Sequence, residues 1–127
     1  MCQPKFFRCL ICGNLVGMIH ESGMPIICCG QPMTELVPNT VDASLEKHVP
    51  VVTISGSSVH VAVGSVDHPM TEEHYIQWIY LSTEQGGQRK CLKPGDKPAA
   101  DFALSDGDKV IAAYEYCNLH GLWKKDV

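Results

Sequence analysis

The chain has 127 residues, of which 45% are apolar and 19% charged, and its formal net charge is −4. Those are globular proportions, and an acidic balance with no basic run argues against nucleic acid or anionic lipid as the main partner. No apolar run approaches the ~20 residues of a membrane span, and Met1-Cys2-Gln3-Pro4-Lys5 carries no signal-peptide core, so a cytoplasmic protein is expected. In a reducing compartment the seven cysteines favour metal ligation over disulfides. The length fits one domain, or a small module joined to a domain of about 90 residues.

Residues 1–37 read as a module of their own. Cys9-Leu10-Ile11-Cys12-Gly13 is a Cys-x-x-Cys knuckle followed by glycine, and fifteen residues later comes Cys28-Cys29-Gly30. Four thiolates around one ion make a tetrahedral site suited to zinc or to iron. So short a segment buries too little apolar surface to fold unaided, and a metal is the usual staple. Gly13 and Gly30 each follow a sulfur, where a chain bending around an ion calls for positive φ. Neighbouring residues of a strand point to opposite faces, so Cys28 and Cys29 can share an ion only through local distortion.

Leu36-Val37-Pro38-Asn39-Thr40 marks a boundary, with Pro38 and Asn39 as turn residues. Thr40 to Lys47 forms a short helical turn or structured loop that delivers His48, and Pro50 holds Val49 extended. From there the pattern is that of strands. Val49 to Ser55 and Val59 to Val63 form a hairpin around Gly56-Ser57-Ser58, and Gly64 to Glu73 is a loop carrying His68. His74 to Leu81 is a longer strand, and Glu84 to Gln88 is a turn before Arg89 to Leu92. Turns at Pro94-Gly95-Asp96 and Asp106-Gly107-Asp108 bracket Ala100 to Leu104, and Lys109 to Cys117 is the last long strand. The spacing predicts an antiparallel sandwich of about seven strands for residues 38–127, with no long helix and no repeat.

His48, His68, His74, Cys117 and His120 then fall at junctions between loops and strands, where one end of a sandwich can gather them. Imidazoles suit iron, copper, nickel and zinc alike, and a thiolate adds a soft, electron-rich donor. Five donors are too many for tetrahedral zinc but suit an octahedral ion with one position free. Four imidazoles in a plane and a thiolate on the axis would leave a vacant face opposite the sulfur, and that sulfur would push electron density toward it.

Two stretches carry a family resemblance. Cys9-x-x-Cys12 followed by Cys28-Cys29-Gly30-Gln31-Pro32-Met33 resembles the iron module of the desulforedoxins and desulfoferrodoxins, in which adjacent cysteines replace the second Cys-x-x-Cys of ordinary rubredoxins. Glu46-Lys47-His48-Val49-Pro50, His68-Pro69-Met70, His74-Tyr75-Ile76-Gln77-Trp78 and Cys117-Asn118-Leu119-His120-Gly121 resemble the superoxide reductase domain of the desulfoferrodoxins. The resemblance implies a mainly β chain: a small rubredoxin/desulforedoxin-like metal module followed by an immunoglobulin-like antiparallel β-sandwich. It implies two mononuclear iron ions, one held by Cys9, Cys12, Cys28 and Cys29. The other would have His48, His68, His74 and His120 in its equator and Cys117 on its axis. The family's loop glutamate and lysine fall on Glu46 and Lys47: Lys47 would add positive charge at the entrance, and Glu46 a carboxylate able to fill the free position after oxidation.

The implied activity is one-electron reduction of superoxide to hydrogen peroxide by a homodimer supplied with electrons by rubredoxin or a similar donor. Two other classes fit the metal-ligating residues: a non-enzymatic iron electron carrier, and a zinc-stapled interaction module whose histidines serve structure only. His20 and His60 match no ligand position, Cys2 and Cys91 read as spare thiols, and Met70, Tyr75 and Trp78 read as packing residues.

Overall fold

A computed structural model of the chain describes residues 3–127; Cys2 lies outside them. The described residues divide into two compact units, Gln3–Val37 and one that begins at Pro38 and runs to Val127. No helix among them is long and apolar enough to cross a membrane.

The first unit is built from short strands: β1 (Lys5–Arg8), β2 (Leu15–Met18), β3 (Ile27–Cys28), β4 (Gln31–Pro32) and β5 (Thr34–Glu35). β1 lies between β2 and β5 in one antiparallel sheet, and β3 pairs with β4 in a second. Apart from Cys9, its buried apolar side chains are Phe6 and Met33, a very small core for a unit of this length. A metal staple answers that shortage of buried surface.

The second unit is a sandwich. It opens with one helical turn, α1 (Leu45–His48), and continues as β6 (Pro50–Ser55), β7 (Ser58–Val63), β8 (Ile76–Thr83), β9 (Gly86–Cys91), β10 (Ala99–Ala103), β11 (Val110–Cys117) and β12 (Gly121–Asp126). The sheets are β10-β7-β6 and β12-β11-β8-β9, with antiparallel pairing throughout. In β7, Val59, Val61 and Val63 alternate inward and are buried, while Ser58 and His60 face out. That period of two is what a half-buried strand requires. The valines pack against Ile76, Ile79 and Leu81 of β8, Phe102 of β10 and Ala113 of β11. On the other face of β8 and β11, Trp78 and Tyr116 stack 5.8 Å apart at 9°.

Three details differ from the sequence expectation. His74 is not part of a strand; β8 starts at Ile76 and runs on to Thr83. Gly86 and Gly87 lie inside β9 rather than in a turn. The Tyr80 ring occupies the space above Gly87 where any Cβ would stand, so the glycine is a seat for an aromatic ring. Finally, β12 follows the Cys117–His120 turn and supplies the seventh strand. Val49 is extended ahead of Pro50, at φ −69° and ψ 123°, as the proline demands.

Candidate metal centres

In the first unit Cys9 comes straight after β1, and the chain then doubles back on itself. The Gly13 N–H donates to the Cys9 carbonyl at 2.9 Å, and the Cys9 N–H donates to the Asn14 carbonyl at 2.9 Å. Cys28 ends β3, and Cys29-Gly30 are the two residues that turn the chain into β4. Their φ values are +54° and +74°. Two successive positive φ angles are what a tight type I′ hairpin turn needs. A cysteine in that region is strained. This is the distortion that lets adjacent cysteines serve one site.

The four sulfurs of Cys9, Cys12, Cys28 and Cys29 lie within 4.8 Å of one another. Amides point at them: Cys12 N–H at Cys9 Sγ (3.5 Å), Asn14 N–H at Cys12 Sγ (3.5 Å) and Asn14 Nδ2 at Cys28 Sγ (3.6 Å). The backbone amides of Cys12 and Ile11 draw the Cys9 thiol down to about 6. Cys29 is instead pushed up to about 12, by the Cys12 and Cys9 sulfurs beside it. Four thiolates this close repel one another, so a cation is what allows all four to ionise together. An all-sulfur tetrahedral set fits iron or zinc.

The second centre is assembled from four places in the sandwich. α1 delivers His48, whose ring Nδ1–H donates to the Ser44 carbonyl at 2.6 Å. The loop after β7 delivers His68, whose Nδ1–H donates to the Pro69 carbonyl at 2.7 Å. Because a carbonyl only accepts, both rings present a bare Nε2 inward, and these two nitrogens face each other at 3.1 Å. Two lone pairs in that position repel unless a cation takes them. Nε2 of His48 is also 3.1 Å from Nδ1 of His120, and Nε2 of His74 is buried with no partner among the described residues.

The ring centroids trace a square-like circuit: His48–His68 4.7 Å, His68–His74 4.6 Å, His74–His120 5.1 Å and His120–His48 4.9 Å. Neighbouring rings are nearly perpendicular, at 77° to 86°, while the diagonal pair His48–His74 is 6.5 Å apart at 29°. Cys117 ends β11 at a register shift between Tyr116 and Cys117. Its buried sulfur lies 3.9 Å from His120 Nδ1 and within 4.8 Å of the donor atoms of His48 and His74. Burial pushes the His68 imidazole down to about 4 and lowers His48 and His74 as well. These three rings are therefore neutral bases near neutral pH, the form in which imidazole ligates. Burial raises the Cys117 thiol, opposed by the amides of His120 and Leu119. Four imidazoles and one thiolate converging on one point fit a transition metal with more than four ligands.

Glu46 and Lys47 occupy α1 directly before His48. Lys47 is half-buried and lies near enough to help hold the His48 and His74 rings neutral. Glu46 is exposed, and its carboxylate is not part of either donor group. Its carbonyl is gripped instead, by the Val66 N–H at 3.1 Å and the Ser65 hydroxyl at 3.3 Å. Gly64 makes that approach possible. A Cβ there would lie 2.5 Å from the Glu46 oxygen and 2.7 Å from Lys47 Cα, and its φ is +82°.

Trp123 carries part of the site and escapes sequence reasoning. It is fully buried, stacks on His48 with centroids 4.9 Å apart, and donates its indole N–H to the His120 carbonyl at 3.0 Å. The only signal for it in the sequence is its place two residues after the Cys117–Gly121 motif. Met70 accepts the Ile76 N–H through sulfur at 3.4 Å, so it anchors the start of β8. Cys91 is an exposed free thiol at the end of β9. His60 pairs with Asp101 on the outer face of the β7–β10 pair, at 2.7 Å.

Residues 40–126 match the family model described as Desulfoferrodoxin, and residues 3–36 match the one described as Desulfoferrodoxin, N-terminal domain. The chain is similar to the desulfoferrodoxin of Nitratidesulfovibrio vulgaris, with 46% identity over 124 residues that cover 98% of this chain and 97% of that one. Its structure is similar to the superoxide reductase of Treponema pallidum, with TM-score 0.83, 43% identity, and coverage of 98% of this chain and 100% of that one. The superoxide reductase of Giardia intestinalis aligns with 65% of this chain and 97% of its own, with TM-score 0.56 and 39% identity.

Proposed function

The chain belongs to the desulfoferrodoxin family, and from that membership we propose that it is a superoxide reductase. The observation that carries this reading is the square-like circuit of His48, His68, His74 and His120 with the buried Cys117 sulfur beside it. Such a donor set is wrong for tetrahedral zinc and right for iron with a position left for substrate. In this reading Cys9, Cys12, Cys28 and Cys29 hold one iron, and His48, His68, His74, His120 and Cys117 hold the other. Residues 1–37 form the first module and residues 38–127 the catalytic domain.

The reaction adds one electron and two protons to superoxide and releases hydrogen peroxide with its O–O bond intact. Iron at the second centre supplies that electron and a coordination site for the small anion. The protein supplies the rest. Lys47 places a positive charge beside His74 and His48, favouring an anion over neutral dioxygen or peroxide. The backbone amides of His120 and Leu119 favour the thiolate form of Cys117 despite its burial. Trp123 and the Ser44 carbonyl fix the His48 ring from its face and its edge. Protons come from water at the open side of α1, where Glu46 is exposed. The electron donor is rubredoxin or a similar one-electron protein, and the molecule works as a cytoplasmic homodimer. These last assignments follow from family membership, and the seven cysteines fit a reducing compartment.

The test is to mix reduced, iron-loaded protein with pulse-generated superoxide. Reductase chemistry yields one peroxide per superoxide with no dioxygen and leaves the second iron oxidised. Dioxygen release in step with peroxide would mean dismutation instead, and no fast reaction would leave only electron carriage.

A further inference from the structure

His48 and His68 are oriented by bonds from their own rings to nearby carbonyls. His74 has no ring bond of that kind among the described residues. It sits in a turn closed on itself, with Thr71 N–H to His74 O at 3.0 Å and His74 N–H to the Thr71 hydroxyl at 3.2 Å. Those bonds shape the turn but do not fix where it stands relative to Cys117 and His120. The ladder between β8 and β11 does not supply that link, because its register shifts at Tyr116/Cys117 and it ends at the Cys117–Ile76 pair.

Asn118 supplies it. Its Oδ1 accepts the Tyr75 N–H at 2.9 Å, its Nδ2 donates to the Glu73 carbonyl at 2.9 Å, and its own N–H donates to the Tyr75 carbonyl at 3.2 Å. A single side chain therefore grips the backbone on both sides of His74 and belongs to the turn that carries Cys117 and His120. Taking His74 as a ligand, as in the reading above, we infer that Asn118 is a positioning residue that registers the His74 turn against the Cys117–His120 turn and so sets the fourth imidazole. An imidazole on an unanchored turn must be ordered each time the metal binds, whereas a clamped one is ordered in advance. Both amide functions are needed: the oxygen as acceptor for one residue and the nitrogen as donor to the other. Neither aspartate nor leucine can do both.

The test uses the full iron-loaded chain, oxidised, with excess EDTA, following decay of the thiolate-to-ferric band of the second centre. Asn118→Ala should lose that iron about 10-fold faster than wild type, the scale expected for an outer partner of a ligand. Asn118→Asp, which keeps the acceptor for Tyr75 but lacks the donor to Glu73, should fall between the two. His74→Gln alone should also speed iron loss, and adding Asn118→Ala to it should change little further, because the residue clamped is already gone. Equal acceleration by Asn118→Ala with and without His74 would mean a general effect on the fold and would overturn the proposal. So would wild-type retention in Asn118→Ala. Wild-type retention in His74→Gln would remove His74 from the ligand set and the clamp with it, while peroxide yield from superoxide judges the reductase reading separately.

Discussion

His48 and Trp123 lie face to face, with ring centroids 4.9 Å apart and planes 29° from parallel. The same indole reaches across to the His120 carbonyl, so one buried side chain braces two of the four imidazoles. Trp123→Phe keeps an aromatic face under His48 but leaves that carbonyl unpartnered, which costs about 1–3 kcal/mol. Trp123→Ala empties a fully buried site and costs about 3–5 kcal/mol. Urea unfolding of the two iron-loaded variants should rank them in that order, and the phenylalanine variant should also show a shifted thiolate-to-ferric band. An unshifted band would make Trp123 a packing residue only.

Cys117→Ser should abolish fast reduction of superoxide while leaving the first iron and its spectrum in place. The oxygen is a harder, less electron-rich donor than the sulfur, and the two centres share no ligand. Stopped-flow or pulse kinetics on the reduced variant decides the matter, and a surviving fast phase would remove the sulfur from the chemistry.

Cys12→Ser or Cys29→Ser should labilise the first iron and spare the second. The motivating fact is that every donor of the second centre lies between His48 and His120, in the unit that starts at Pro38. Metal analysis together with the superoxide rate provides the check. Loss of the fast reaction in a variant that still holds its second iron would show chemical coupling between the centres.

Lys47 and Glu46 are neighbours that should fail differently. Lys47→Ala removes a charge felt by His74 and His48, so the second-order rate with superoxide should drop several-fold. That rate should also lose much of its dependence on ionic strength. Glu46→Ala should leave the encounter rate nearly unchanged and alter the spectrum of the oxidised resting site. Gly64→Ala offers an independent route to the same loop, because its new methyl group has no room beside the Glu46 carbonyl. It should reproduce part of the Lys47→Ala rate loss with both charges still present. Wild-type rates, salt slopes and spectra in all three variants would reduce the loop to solvated surface.

Glu115 invites a stability measurement. It is fully buried on β11 between Ile79 and Trp123 in the paired strands, and neither carboxylate oxygen has a partner among the described residues. Desolvation holds its carboxyl well above the usual carboxylate range. Glu115→Leu should therefore stabilise the sandwich by about 1–3 kcal/mol, the penalty of an unsatisfied buried polar group. A lower unfolding midpoint in denaturant would show that the carboxyl is satisfied by something other than these protein groups.

Much of this arrangement was legible in the chain. Thiolates and imidazoles are scarce enough that five cysteines and four histidines stand out against strands of valine and isoleucine, and Pro50 sets the backbone of Val49 as the sequence implies. β12 was not legible, since only Leu122 and Trp123 of its six residues are buried. Lys124, Lys125 and Asp126 give it the charged character of a protected edge strand. Gly86-Gly87 looked like a turn because glycine's usual role is conformational, whereas at Gly87 it yields space to Tyr80. His74 lies outside β8 for a related reason. Tyr75 and Ile76 have strand character, but a turn closed by Thr71 claims the residue before them. Asn118 and Gly64 act through backbone groups far away in sequence, and no local pattern reveals that.

The span between His48 and His120 has a consequence for how the protein is made. The sulfurs of the first centre are complete once Cys29 has been synthesised, whereas the second needs a ring of 72 residues closed between His48 and His120. A nascent chain can thus capture its first metal early, and its second only after β6 through β11 have formed and the last turn has left the ribosome. Once seated, the second ion ties the two ends of that long ring as a cross-link would, and such a link restrains the unfolded chain more the longer the ring it closes. Metal seated at the second centre therefore adds to the stability of the sandwich as well as supplying its chemistry.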